Sequence, residues 1–208
     1  MGIILKLGSR KTSRHRRYLE NTLKKIVVSG NLLDIGGAQK PIIDRISQKS
    51  NVKKYQILDL PNPHTLNFTE IDYRIDIQSH DFDASALELK YDAIFCIEVS
   101  LYWHDPFQAL RNIVSIMNPE TKLFINFHQL HANQNPESSD MLRYSFNWIE
   151  KVCQIYKLQI ITVKKSEISI FSYVALKVLY AMEKMRLNNK YNYFKSNSFF
   201  VELKLVND

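Results

Sequence analysis

Short apolar runs that end in acidic residues, glycine or proline recur along this chain, separated by segments of helical spacing. The first run opens at Ile26-Val27, resumes at Leu32-Leu33 and ends in Asp34-Ile35-Gly36-Gly37-Ala38, with a helix-compatible segment after it. The second, Tyr55-Gln56-Ile57-Leu58-Asp59, stops at Pro61-Asn62-Pro63. Residues 71–76, 91–98, 122–127 and 158–163 continue the series, and 198–205 alternates in the manner of a closing strand. Such runs read as buried parallel strands of an open sheet, which meet ligands at their carboxyl ends. Tyr18, Leu19, Leu23, Ile26 and Val27 recur at helical spacing, so 14–27 predicts an amphipathic helix docked on that sheet. Asp105-Pro106 reads as an N-cap followed by a first-turn proline, and 146–156 as a further helix.

The strand ends carry the chemistry. Glycines at 36 and 37 allow a sharp turn and a close backbone approach to a ligand, although an ordinary strand-turn-helix corner has the same composition. One aspartate after a strand is usually a cap or turn residue. Three in series, Asp34, Asp59 and Asp76, place carboxylates along one rim. Dinucleotide binding needs Gly-x-Gly-x-x-Gly, whereas Gly36 opens Gly-Gly-Ala-Gln-Lys-Pro, and no Gly-Lys-Ser/Thr phosphate loop occurs. A nucleoside without a phosphate chain is the ligand this corner suits.

From about residue 30 to 165, and again at the last strand, the series resembles the class I S-adenosylmethionine-dependent methyltransferases. The resemblance implies an α/β, Rossmann-like, seven-stranded and mostly parallel sheet with an antiparallel last strand and helices on both faces. It implies S-adenosyl-L-methionine as cofactor. Asp34, Gly36, Gly37 and Ala38 look like the first motif, which carries the methionine part; Asp59, with Leu60, matches the acidic residue on the ribose hydroxyls. Asp76 and Ile77 match the adenine pair, and Glu98 opens the segment after strand four. The chain departs from the pattern at Lys40, where a third glycine is common, and at Asn118-Pro119-Glu120-Thr121, where Pro-Gly-Gly is usual. The first departure leaves open how the amino acid end of the cofactor is held.

Composition changes the picture only at the ends. The 208 residues are 45% hydrophobic with five Gly and six Pro, which suits a packed domain. No repeat, low-complexity tract or linker divides them, so 1–208 reads as one methyltransferase domain. A basic helical region is expected at 1–28 and a helical insertion at 166–195. Cys96 and Cys153 read as buried thiols in a reducing compartment, and no signal peptide or myristoylation site is recognised, so the cytoplasm is the expected location. The net charge of +7 gathers before the first strand and near Lys184–Lys195. It reads as a solvated helix face or as a nucleic-acid or anionic-membrane footprint.

The acceptor side must come from loops after strands four and five. The loop from Phe127 to Pro136 is long, polar and histidine-bearing, and Asp140-Met141-Leu142-Arg143-Tyr144 follows. That Asp-x-x-Arg-Tyr spacing resembles methyltransferases of sugar and cell-surface polysaccharide biosynthesis, which makes Asp140, Arg143 and Tyr144 substrate-binding candidates; an Asp–Arg pair organising a helix start gives the same spacing. A hydroxyl acceptor needs a base, and His131, then His104, are the candidates, whereas His128 is in register with its strand and reads as structural. A metal at His128-x-x-His131 lacks a recognisable third ligand, and no metal is assigned. The apolar stretch 168–182 is too short and interrupted to span a bilayer and reads as a cleft cover, a homodimer contact or a peripheral membrane helix. The expected activity is methylation, by preference O-methylation, of a small molecule or glycan precursor. RNA methylation and a degenerate, non-catalytic binding fold are the alternatives.

Overall fold

The computed structural model describes residues 14–62, 69–129, 142–167 and 196–206. In chain order these form α1 (Arg14–Leu23), β1 (Val27–Ile35), β2 (Gln48–Asp59), β3 (Tyr73–Arg74), β4 (Ala93–Cys96), α2 (Pro106–Ser115), β5 (Lys122–His128), α3 (Phe146–Ile155), β6 (Leu158–Glu167) and β7 (Ser196–Leu205). The strands make one seven-stranded sheet in the order β3-β2-β1-β4-β5-β7-β6. β1 pairs in parallel with β2 and β4, β4 with β5, and β2 with β3. β7 runs antiparallel to both β5 and β6, between which it lies. The expected mostly parallel sheet with an antiparallel last strand is what forms.

The alternation of side chains across the pleat sorts the core into two layers. Leu32, Ala93, Phe95, Phe124 and Phe200 pack on one face with Leu19 and Leu23 of α1. Leu33, Ile35, Ile94, Leu123, Ile125 and Val201 pack on the other with Leu110 and Ile113 of α2 and Ile149 and Val152 of α3. Helices therefore cover both faces. Burying leucines such as Leu19 and Leu23 contributes about 1.5–3 kcal/mol each, which is what ties a strongly basic helix to the sheet. α2 starts as its sequence predicts: Asp105 caps it, accepting from Gln108 N at 2.9 Å, with Pro106 in the first turn.

Four elements differ from expectation. α1 stops at Leu23, where Lys25 N and Ile26 N switch to carbonyls three residues back, on Thr22 and Leu23. The segment after the glycine corner makes a 3-10 turn at Ile42–Asp44 behind Pro41 rather than an α-helix. β2 begins at Gln48, well before the apolar run, because its polar first half pairs its backbone with Val27–Asn31 while its side chains stay exposed. β3 is cut to Tyr73–Arg74: the Asp72 carboxylate takes Ile57 N at 2.8 Å, occupying a ladder position. Cys96 and Cys153 are both free and buried. Within the expected insertion at 166–195, Ser166 and Glu167 belong to β6 and 168–195 lie outside the described residues, as does the apolar stretch 168–182. Among the described residues no helix is long and apolar enough to cross a membrane.

Candidate active site

The strand order reverses at β1, whose neighbours are β2 and β4, and the carboxyl ends of these strands form the crevice where open α/β sheets take ligands. β1 delivers Asp34 and the glycine corner there. Gly36 adopts φ +75°, a region glycine enters without penalty, and its N–H donates to Leu58 O at 2.7 Å. A Cβ on Gly36 would come within 2.3 Å of Val99 Cγ2, and one on Gly37 within 2.1 Å of Asp34 Oδ2. Both glycines are thus demanded by the protein's own packing around the corner.

Asp34 was expected to present an acceptor to a ligand, and the structure turns it inward. It is 2% exposed, and its Oδ2 accepts from Ile42 N at 2.7 Å and from the Tyr55 hydroxyl at 2.5 Å. Burial pushes its carboxyl up to about 7, with the Tyr55 and Ile42 bonds and Arg45 opposing and Asp59 adding to the rise. Asp34 braces the corner from below, tying it to β2 and to the 3-10 turn.

Asp59 ends β2 half-buried. Its Oδ2 accepts from Ala38 N at 3.0 Å and its Oδ1 from Leu60 N at 2.8 Å. The tip of β2 is thereby joined to the glycine corner. Past β3, Asp76 Oδ1 accepts from Gln78 N at 2.9 Å, while Ile77 is buried and its carbonyl accepts from Asn112 Nδ2 at 2.8 Å. Gln78 Oε1 in turn accepts from His104 N at 2.6 Å and Asp105 N at 3.0 Å, so the loops after β3 and β4 are stitched together. A half-exposed carboxylate at the β2 tip, an Asp-Ile pair beyond β3 and a tight glycine corner after β1 fit a nucleoside with hydroxyl donors and a flat base. Lys40, where a third glycine is common, is exposed and its N–H closes a turn onto Gly37 O at 3.0 Å.

Glu98, just past β4, has φ +64°, an uncommon conformation for a residue with a side chain. Its N–H donates to Asn126 Oδ1, and its carboxylate pairs with Arg16 of α1 and, at 3.4 Å, with Arg45 Nη2. Glu20 completes the cluster, at 3.0 Å from Arg16 Nε and 3.1 Å from Arg45 Nη2. This cluster, which fastens α1 to the site, was not anticipated. Arg16 and Glu20 are four residues apart on α1, but no local pattern joins that pair to Arg45 or Glu98. The one sequence signal near it is Asn126, a polar residue inside the apolar run of β5.

On the acceptor side the expectations divide. His104 is exposed at the β4 rim. Arg143 is half-buried, its Nη1 donating to Leu142 O at 2.9 Å. Tyr144 is a correction: it is 3% exposed, its hydroxyl donates to Ser100 O at 2.6 Å, and it packs against Phe127 and Trp148. It joins the loops after β4 and β5 from within instead of facing a substrate. His128 is buried, as its register implied. His131 and Asp140 lie outside the described residues. Among the described residues no group of His, Cys, Asp and Glu could hold a metal.

The family described as Methyltransferase domain matches residues 9–159. No curated protein sequence matches the chain. Among solved structures, the chain is similar to a complex between the Haloferax volcanii Trm112 methyltransferase activator and a methyltransferase, at 16% identity and TM-score 0.59 over 92% of this chain and 90% of that one. It is also similar to a SAM-dependent methyltransferase from Leishmania major (10% identity, TM-score 0.56, 90% and 70% covered). A third is an S-adenosylmethionine-dependent methyltransferase from Clostridium acetobutylicum (12% identity, TM-score 0.54, 90% and 89% covered). At such identities the structures speak for the fold alone, while the family match covers more than half of the sequence. The sequence match shows the family and the sheet has its fold: the chain belongs to the class I S-adenosylmethionine-dependent methyltransferases, and S-adenosylmethionine is its cofactor.

Proposed function

We propose that this methyltransferase carries the methyl group to a hydroxyl of a small molecule or of a sugar or glycan precursor, in the cytoplasm. The observation that supports this reading is the state of Glu98. Its carboxylate is engaged by Arg16 and Arg45, so the β4 rim presents an ion pair where a general base would stand. Removing a hydroxyl proton then falls to an imidazole. His104 is exposed at that rim, and His131, our first choice, belongs to the polar loop that follows β5 in sequence.

When bound, the cofactor's sulfonium supplies an electrophilic methyl group. The residues of the chain bind, orient and take a proton. Asp59 holds the ribose hydroxyls, Asp76 and Ile77 flank the base, and the backbone of Gly36, Gly37 and Ala38 carries the methionine part. Asp34 keeps that backbone in place, and the histidine accepts the acceptor's proton. Arg143 and Asp140 contribute to holding the acceptor. Orientation alone can contribute about 7–11 kcal/mol of barrier reduction, so little further catalysis is demanded of the protein.

The test is a screen of the purified protein with labelled S-adenosylmethionine against sugar nucleotides and small hydroxylated molecules. Label on an acceptor oxygen is the expected result. The second reading, RNA methylation, draws on the net charge of +7 and on Lys49, Lys53 and Lys54, exposed along the first half of β2. A submicromolar complex with transfer or ribosomal RNA, weakening by about 0.7 log units per log unit of salt for each phosphate neutralised, would favour it over the first.

A further inference from the structure

We infer that Asn126 is a positioning residue for cofactor binding, acting through the backbone of Glu98. A non-glycine residue at φ +64° lies in a sparsely populated, strained region and persists only where its surroundings over-determine it. Asn126 supplies the determination. It stands near the carboxyl end of β5, 1% exposed, after the apolar Leu123, Phe124 and Ile125 and before the buried His128. Its Oδ1 accepts from Glu98 N, and its own carbonyl accepts from Ser100 Oγ at 2.8 Å. One residue thus holds the rim after β4 at both sides of Val99.

Val99 is where the hold reaches the cofactor corner. Its side chain fills the space a Cβ on Gly36 would need, so the Val99 position and the left-handed turn of Gly36 are packed against each other. The same turn at 98 directs the Glu98 carboxylate to Arg16 and Arg45. Release of the Asn126 bond would let Glu98 relax to an ordinary φ, drawing Val99 off the corner and the carboxylate off the arginines.

The amide has a second engagement that fixes its orientation. With Oδ1 taken by Glu98 N–H, Nδ2 faces His128 Nε2 at 3.0 Å and donates to it. The ring nitrogen must then accept, which defines a neutral His128 carrying its proton on Nδ1. The Glu98 carboxylate is engaged by the arginines, and the Tyr144 hydroxyl is given to Ser100 O. A buried polar pair with this complementarity is a clamp of set orientation.

The test compares two near-isosteric variants of the full chain, using S-adenosylhomocysteine as the titrated probe. Asn126→Leu leaves Glu98 N without an acceptor, and Asn126→Asp restores one while removing the donor to His128. If Asn126 acts through Glu98, Asn126→Leu should weaken probe binding about tenfold, the ratio set by one hydrogen bond, while Asn126→Asp stays within about threefold of wild type. Circular dichroism verifies that both are folded. The Glu98→Gly background keeps the test meaningful should Asn126→Leu fold poorly: glycine adopts positive φ freely, so Asn126→Leu should cost clearly less there. Equal loss of affinity in the two variants, wild-type affinity in Asn126→Leu, or an undiminished loss in the Glu98→Gly background would each overturn the inference.

Discussion

The Tyr55 hydroxyl on β2 donates to the Asp34 carboxylate on β1 at 2.5 Å, beneath the glycine corner. The bond explains why an acidic residue can end a buried strand without meeting a ligand. The oxygen that takes Tyr55 also takes Ile42 N, so one carboxylate holds β2 and the turn after the corner together. The arrangement has a cost that depends on pH. Burial raises the Asp34 carboxyl from 3.8 to about 7, so between these values the folded protein binds a proton that the unfolded chain has released. Its contribution to stability is full below about pH 4 and is lost as pH rises toward 7. Asp34→Asn retains an acceptor oxygen and cannot ionise. Chemical denaturation at pH 5 and pH 8 should show a smaller loss of stability on going to pH 8 in the variant than in wild type. Equal losses would mean that Asp34 is not raised.

Tyr55→Phe tests the same relationship from the other side. The Tyr55 bond lowers the Asp34 carboxyl, so its removal should raise it further and shift the loss of stability to higher pH. The variant should be destabilised by about 1.5–3 kcal/mol at pH 8, where the lost bond is to a charged group, and by less at pH 5. A penalty independent of pH would contradict the assignment.

At the corner, Gly36→Ala brings two penalties. A side chain at φ +75° is strained by roughly 1–2 kcal/mol, and the added methyl would collide with Val99 at 2.3 Å. A lowered melting temperature with weaker cofactor binding is expected. In the double variant Gly36→Ala/Val99→Ala the collision is removed and the strain remains, so part of the stability should return. No recovery would mean that Val99 is not what limits position 36.

The Asp-tipped strands, the glycine corner, the capped start of α2 and the alternating β7 were legible because each depends on neighbours within a few residues. What was not legible depends on distance or direction. The polar first half of β2 forms through backbone pairing with β1, so no apolar run announces it. β3 is short because a single side chain, that of Asp72, occupies a ladder position. The sequence marked Asp34 and Tyr144 as site candidates but does not tell that both side chains point inward, toward Tyr55 and Ser100. Arg16 and Glu20 pair at helical spacing, but their links to Arg45 and Glu98, which join α1, the corner and β4, leave no periodic trace.

Once an acceptor is identified, His131→Ala should lower turnover by about 10²–10⁴-fold and leave cofactor affinity nearly unchanged. If the deprotonated imidazole is the active form, the ascending limb near neutral pH should vanish from the rate profile. If turnover and profile are unchanged while His104→Ala abolishes both, the base is His104.

The Asp59 carboxylate joins the β2 tip to the glycine corner through Ala38 N, and its proposed role is to hold the ribose hydroxyls. Calorimetric titration of S-adenosylmethionine into wild type and Asp59→Ala measures that assignment directly. Wild type should bind one equivalent, and Asp59→Ala should bind more weakly by about 1.5–3 kcal/mol, the range for hydrogen bonds to a charged group. Wild-type affinity in a folded Asp59→Ala protein would contradict it.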